Sequence, residues 1–283
     1  MVTLISRHSK YSPNSEARDE ALFRSLVMNF ALQGISIATF DEAVFEHRPP
    51  QLEKSTLILS MARSEAALHA LSAAEECGVP VLNSPRALQK AQRTDFQQWF
   101  AESGHAAKHW HTSELTPDRK ATLLFPLWWK RNNTATTSAN DVQFVEHLAQ
   151  LDEILSEHAN EDALLMEHVE GQLIKFYGVV GTNFFHAEPH TPKGFSKFGH
   201  EQHNQHKDLA LFSPMWKQTL RAMHTAATQV AQQSGFSIYG GDAILCEDGT
   251  FVFIDFNDFP SFSACLPKAS AAIVQHSLSL LAK

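Results

Sequence analysis

With 283 residues, 43% of them hydrophobic, the chain can bury a substantial core in one large or two to three small domains. A formal charge of −8 excludes a general attraction to nucleic acid or to an anionic membrane, so the expected partner is a small molecule or another protein. The three cysteines, Cys77, Cys246 and Cys265, lie far apart without CxxC spacing, which excludes a disulfide framework and a zinc motif and suits a reducing compartment.

The opening MVTLISRHSK holds an apolar run too short for a signal peptide, and no apolar stretch approaches the roughly 20 residues of a membrane helix. A soluble, cytoplasmic protein is expected. Val2–Ser6 and Ile35–Phe40 read as strands around a helix that carries Leu22, Leu26 and Phe30 four apart. Thr56–Met61 is a continuous apolar strand, Ser64–Glu76 a helix closed by Gly78, and Val79–Leu82 a further strand. Short apolar strands alternating with helices predict a small parallel sheet wrapped by helices over residues 1–84. Asn83-Ser84-Pro85 marks the boundary, because a capping serine and a first-turn proline start a new helix there.

Beyond it the pattern predicts an α+β region, 85–283. A helix over Arg86–Ala101 is followed by a proline-containing strand, Ala121–Lys130, and a polar loop, Arg131–Asn140, which leads into a long helix through Leu151. Leu164–Val169 and Gln172–Phe185 read as extended, 187–208 as polar, Pro214–Ser234 as a helix, and the chain closes with two strands and a helix from Lys268.

The stretch IYGGDAILCEDGTFVFIDFNDFP (Ile238–Pro260) is the most informative. Asp248-Gly249 between two β-rich runs predicts a two-residue hairpin turn. That turn pairs Cys246 with Phe251, Ile244 with Phe253, Asp242 with Asp255 and Gly240 with Asn257. Two carboxylates and an amide then meet at the open end of an apolar hairpin. Opposed like charges are destabilising, more so when buried, which calls for a raised pKa or a bound cation. Hard oxygen donors suit magnesium, which completes its shell with water and phosphate oxygens. A solvated hairpin end is the competing reading of the register alone.

Asp242, twelve intervening residues, then Asp255-x-Asn257 and Phe259-Pro260, with Gly240-Gly241 ahead, resembles the magnesium-binding end of the ATP-grasp superfamily. PLWWK (Pro126–Lys130) is similar to the strand whose lysine reaches the ATP phosphates, and LLMEHVEG (Leu164–Gly171) to the hinge that reads adenine. Lys175 follows at the spacing of the next basic residue, and NSP (Asn83–Pro85) stands where the ATP-grasp portion begins. The likeness covers roughly residues 80–265. It implies an ATP-grasp fold, with a central subdomain at about 105–166 and a C-terminal one at about 167–283, behind a small Rossmann-like parallel-sheet domain.

The resemblance also implies ATP and one or two Mg2+ ions, held by Asp242, Asp255 and Asn257. It assigns Lys130 to an α- or β-phosphate, the Glu167 carbonyl and Val169 amide to adenine, Glu170 to the ribose, and Lys175 to the γ-phosphate or an anionic substrate. Lys130 and Lys175 are the catalytic candidates. Three departures stand out: Arg93-Thr94 replaces the usual lysine of the first helix, the loop over the phosphates, Arg131–Thr137, lacks glycine, and Gly240 stands where amino-acid ligases often carry arginine. Gly240, with Asp255 in place of the commoner glutamate, is a feature shared with inositol polyphosphate kinases.

His200, His203 and His206 fall three apart in the polar GHEQHNQH, which reads as a surface loop, while Lys193 and Lys197 are the acceptor-substrate candidates. His109-Trp110-His111 alternates like a strand. The expected activity is that of an ATP-dependent carboxylate–amine ligase acting through an acyl phosphate. A small-molecule kinase acting on a polyol or inositol phosphate and a non-catalytic nucleotide-binding protein are the alternatives. A small-molecule substrate is expected, with neither nucleic acid nor membrane, and a homodimer is allowed.

Overall fold

The computed structural model describes residues 1–47, 50–133, 138–191, 199–203 and 215–282, with the backbone alone at 201 and 202. Strands β1 (Val2–Ile5), β2 (Ile37–Phe40), β3 (Leu57–Ser60) and β4 (Val81–Leu82) form a parallel sheet in the order β2-β1-β3-β4. Helix α1 (Glu16–Leu32) buries Leu22, Leu26 and Phe30 against one face, and α2 (Glu65–Glu76) buries Ala67 and Leu71 against the other. Covering both faces explains why the stretch that holds β3 reads as a continuous apolar run.

The short α3 (Pro85–Lys90) and α4 (Arg93–Glu102) come next. One continuous helix was expected here. The chain breaks at Ala91-Gln92 because the Gln92 amide donates to Asp95 Oδ2 at 2.8 Å, closing a capping box that restarts the helix at Arg93.

The second sheet is antiparallel, in the order β5-β8-β6-β7. It contains β5 (His109–His111), β6 (Leu127–Arg131), β7 (Val142–Val145) and β8 (Ala163–Glu167), with α5 (Pro117–Ala121) before β6 and α6 (Leu148–Glu157) behind the sheet. The long helix expected to run through Leu151 is instead β7 followed by α6. Val142 to Val145 pair with Lys130 to Leu127, and a strand-compatible VQFV follows the edge already present.

The third sheet, order β10-β9-β11-β12, is also antiparallel. β9 (Gln172–Val179) and β10 (Phe185–Pro189) divide what read as one extended run, turning at Gly181. Helix α7 (Trp216–Ser234), together with α4, covers the back of the hairpin formed by β11 (Ile238–Leu245) and β12 (Phe251–Asp258). The last helix, α8 (Leu266–Leu281), returns to pack on α1, burying Ile273 and Val274 beside Val2 and Leu4. The N-terminal sheet is thereby docked onto the end of the third sheet. Among the described residues no helix is long and apolar enough to cross a membrane.

Candidate active site

The hairpin β11–β12 brings Asp242 opposite Asp255 and Gly240 opposite Asn257, as the sequence predicts. It does so by a different route. The loop has three residues: Cys246 N–H donates to Thr250 O at 2.9 Å, and Gly249 takes a left-handed φ of 82°. Near the turn Leu245 therefore faces Phe251 and Ala243 faces Phe253, so the predicted pairs Cys246–Phe251 and Ile244–Phe253 are corrected by one residue. A bulge between Asp242 and Ala243, with Ile254 as the extra residue on β12, then cancels the shift.

The bulge also decides which way the acids point. Strict alternation would place Asp255 on the face of Phe251 and Phe253, in the core beneath α4. With the extra residue, Phe253 and Phe256 both join that core, while Ile254 and Asp255 both line the cleft on the other side. The Ile254 carbonyl accepts from Lys130 Nζ at 2.9 Å.

Charge around the two acids is balanced by the chain itself. Lys175, paired with Asp242 across β9–β11, puts Nζ 3.6 Å from Asp242 Oδ1. Arg93 Nη1 donates to Asp255 Oδ1 at 2.9 Å, and Asn257 Nδ2 donates to Asp255 Oδ2 at 3.2 Å. Burial alone would raise the Asp255 carboxyl, but Arg93 and Lys130, with these hydrogen bonds, hold it below its ordinary value. Burial, reinforced by the charge of Arg93, pushes Lys130 down to about 7 against the pull of Asp255 and Asp242. The expectation that opposed acids need a raised pKa or a bound cation is thus amended: Lys175 pairs with Asp242 and Arg93 with Asp255, with Lys130 close by.

Above this cluster lies a cleft of about 1220 Å³ between the second and third sheets, reaching the N-terminal sheet. One end is apolar, walled by Trp128, Val142, Met166, Val169, Leu173 and Ile254. The other is polar and includes Arg7, Arg63, Tyr11 and Asp258. Arg7 pairs with Asp19 at 3.0 Å and donates to Phe259 O at 3.0 Å, and Arg63 pairs with Asp258. These two arginines tie the N-terminal sheet to the residues just past Asn257.

No family model matches the sequence, and no curated protein does either. Solved structures do match. D-alanyl-alanine synthetase A from Vibrio cholerae superposes with a TM-score of 0.70 at 12% identity, over 99% of this chain and 98% of that one. A RimK domain ATP-grasp protein from Sphaerobacter thermophilus gives 0.67 at 17% identity, over 98% and 100%. D-alanine–D-alanine ligase from Bacillus anthracis, in complex with ATP, gives 0.66 at 12%, over 99% and 98%. This chain has the ATP-grasp fold.

Within the ATP-grasp fold, Asp242, Asp255, Asn257, Lys130, Lys175 and Arg93 converge on one cluster, with Glu167 and Val169 on the wall of the same cleft. The Glu167 side chain is occupied by Lys108, whose amide donates to Oε1 at 2.9 Å. Glu170 is exposed and lies outside the cleft lining. Lys193, Lys197 and His206 fall outside the described residues, as do 134–137 of the loop that follows β6. The start of that loop is fixed: buried Asn132 accepts from Thr94 N–H at 2.9 Å through Oδ1 and from Arg93 N–H at 2.8 Å through its carbonyl, which sets Arg93 at the cluster.

The histidine segment differs from the surface loop expected. His200–His203 forms a 3-10 turn that packs on the second sheet, with the His203 ring stacked on Phe144 at 3.9 Å. Sequence reasoning also missed Arg7 and Arg63. Both sit just past the carboxyl ends of parallel strands, β1 and β3, where open parallel sheets place their ligand-facing groups, and that rule was the available signal.

Proposed function

We propose that this protein is an ATP- and magnesium-dependent ligase that joins a carboxylate to an amine. The observation that carries this reading is the cluster itself: Asp242 and Asp255 opposed on the cleft floor, ringed by Lys175, Arg93 and Lys130, between an apolar slot and a polar chamber. The slot suits a purine and the chamber an acceptor. The likeness to D-alanine–D-alanine ligases, one of them in complex with ATP, supports the same reading.

The donor set fits magnesium. Two carboxylates and an amide are hard oxygen donors, too few to fill an octahedron alone, which leaves places for phosphate oxygens and water. Asn257 gives its Nδ2 hydrogen to Asp255, which leaves its amide oxygen as the metal-binding atom. Asp242, Asp255 and Asn257 would hold one or two ions, whose chemistry is to neutralise charge on the β- and γ-phosphates. Lys130 and Arg93 would take phosphate oxygens, and Lys175 the γ-phosphate. Glu167 and Val169 would read the base through their main chain. In the reaction proposed, a substrate carboxylate oxygen bonds to the γ-phosphorus as its bond to the bridging oxygen breaks, and ADP leaves. An amine then attacks the acyl carbon, loses a proton, and phosphate departs. The side chains position the reactants and balance charge without a covalent enzyme intermediate.

One observation favours a kinase as second reading. A side chain at Gly240 is excluded, since its Cβ would lie 2.8 Å from Phe176 O and 2.9 Å from Pro260 Cγ, so no cation can reach an acyl intermediate from there. Among the described residues, though, the chamber's two arginines are each matched by a carboxylate, which disfavours a polyphosphate acceptor and leaves a neutral polyol. Incubation with ATP and magnesium across amino acids and polyols, following ADP and products, separates the readings. ADP formed only with an acid plus an amine supports the ligase, a phosphorylated polyol supports the kinase, and binding without ADP refutes both. The reading includes a small-molecule partner and a cytoplasmic setting.

A further inference from the structure

The apolar end of the cleft carries a polar contact that no part of the proposed reaction uses. Trp128, on β6, faces Phe144 across β7, and its indole Nε1–H donates to His168 Nδ1 at 3.1 Å. An indole N–H can only donate, so His168 Nδ1 must accept and the ring is the neutral Nε2–H tautomer. The His168 amide donates to Pro126 O at 3.3 Å, while Phe144 meets the His168 ring edge-on at 5.3 Å. His168 lies between Glu167 and Val169, the two residues proposed to read the base.

We propose that the Trp128–His168 hydrogen bond is a proton-sensitive pin on this hinge: His168 is a positioning residue that holds Glu167–Val169 in place for a nucleotide base only while its ring is neutral. The proposal rests on the nucleotide-binding reading above. Protonation places a hydrogen on Nδ1, facing the indole N–H donor to donor, and the bond is lost.

The surroundings act on the same proton. Burial lowers the affinity of His168 for it, His203 lowers it further, and Glu170, on the same turn, raises it. His203 stacks on Phe144 and meets Trp128 at 5.4 Å, and His200 meets Trp128 at 6.0 Å, so two more imidazoles stand around the same rings. Glu167 and Lys108, the remaining charged neighbours on the β5 side, are paired with each other.

The test uses the full chain, 15N-labelled, with the Trp128 indole resonance assigned by its absence in Trp128→Phe. From about pH 8 to about pH 5 that resonance should titrate in the wild type and stay fixed in His168→Gln, whose amide oxygen accepts from the indole without titrating. Between about pH 8 and about pH 5, ATP affinity measured by calorimetry with magnesium should fall about fivefold further in the wild type than in His168→Gln, the worth of one neutral hydrogen bond, because every other titration is common to both proteins. An indole resonance that does not move with pH overturns the pin. Equal pH dependence of ATP affinity in wild type and His168→Gln overturns its link to the hinge. ATP that binds at neither pH refutes the nucleotide-binding reading itself, and the coupling with it, while the indole titration still decides the pin.

Discussion

Replacing Gly241 by alanine tests the hairpin geometry on which the site depends. An alanine Cβ there would lie 2.3 Å from Asp255 O and 2.6 Å from Phe176 Cζ. Both are closer than ordinary contact by about 1 Å. Neither neighbour can give way: Asp255 O belongs to the partner strand, and the fully buried Phe176 ring packs on Phe253 and Phe256, at 5.2 and 5.8 Å. β12 must therefore move, and Asp255 with it. Overpacking costs about 1–3 kcal/mol, and this site belongs at the upper end. The smaller entropy of the unfolded alanine chain offsets about 0.4–1 kcal/mol. A net loss of about 2 kcal/mol, at an m-value of about 2 kcal/mol/M, lowers the urea midpoint by about 1 M. Gly249→Asn is the control, because Gly249 has a left-handed φ of 82° with open space around it, which asparagine tolerates. A Gly241→Ala midpoint equal to the wild type's would refute the close approach of the two strands.

Asp255→Asn should remain folded by circular dichroism and lose about 100-fold or more in turnover, whereas Asp255→Ala should also unfold at lower temperature, because it removes the oxygen that accepts from Arg93, which an asparagine amide keeps. Folded Lys130 titrates at about 7 against an ordinary value of 10.5, so between those limits the unfolded chain binds the extra proton; unfolding free energy should rise with pH across that window, and Lys130→Met should remove the rise in urea titrations at both ends of it. Arg63→Met leaves Asp258 buried without its cation and should cost about 3 kcal/mol by thermal unfolding, with much of it recovered when Asp258→Leu is added.

Much of this site was readable from residue order. The pairing of Asp242 with Asp255 follows from a turn signal and two apolar runs, whereas Lys175 reaches Asp242 through the pairing of β9 with β11 and Lys130 reaches the cluster from the second sheet. The loop length and the bulge were not read, and their errors cancelled. A trace of the bulge was present: in Phe251-Val252-Phe253-Ile254-Asp255-Phe256 the aromatic spacing changes from two to three, which marks an extra residue in the strand. The neutralisation of the acids was not legible, because Arg93 is brought to Asp255 by a capping box and by Asn132, contacts that leave no periodic signature. The edge strand β7 was lost to helix for a similar reason. Four residues beside a helix carry too little pattern to separate the two, and only pairing with β6 decides.

The most direct measurement is Mn2+ electron paramagnetic resonance, with manganese standing in for magnesium, titrated with and without ATP. If Asp242, Asp255 and Asn257 hold a metal–nucleotide complex, the free-ion signal should fall on adding wild-type protein and ATP together, and persist when Asp255→Asn replaces the wild type. Equal loss of signal with both proteins would place the ion elsewhere and remove the basis for the proposed chemistry.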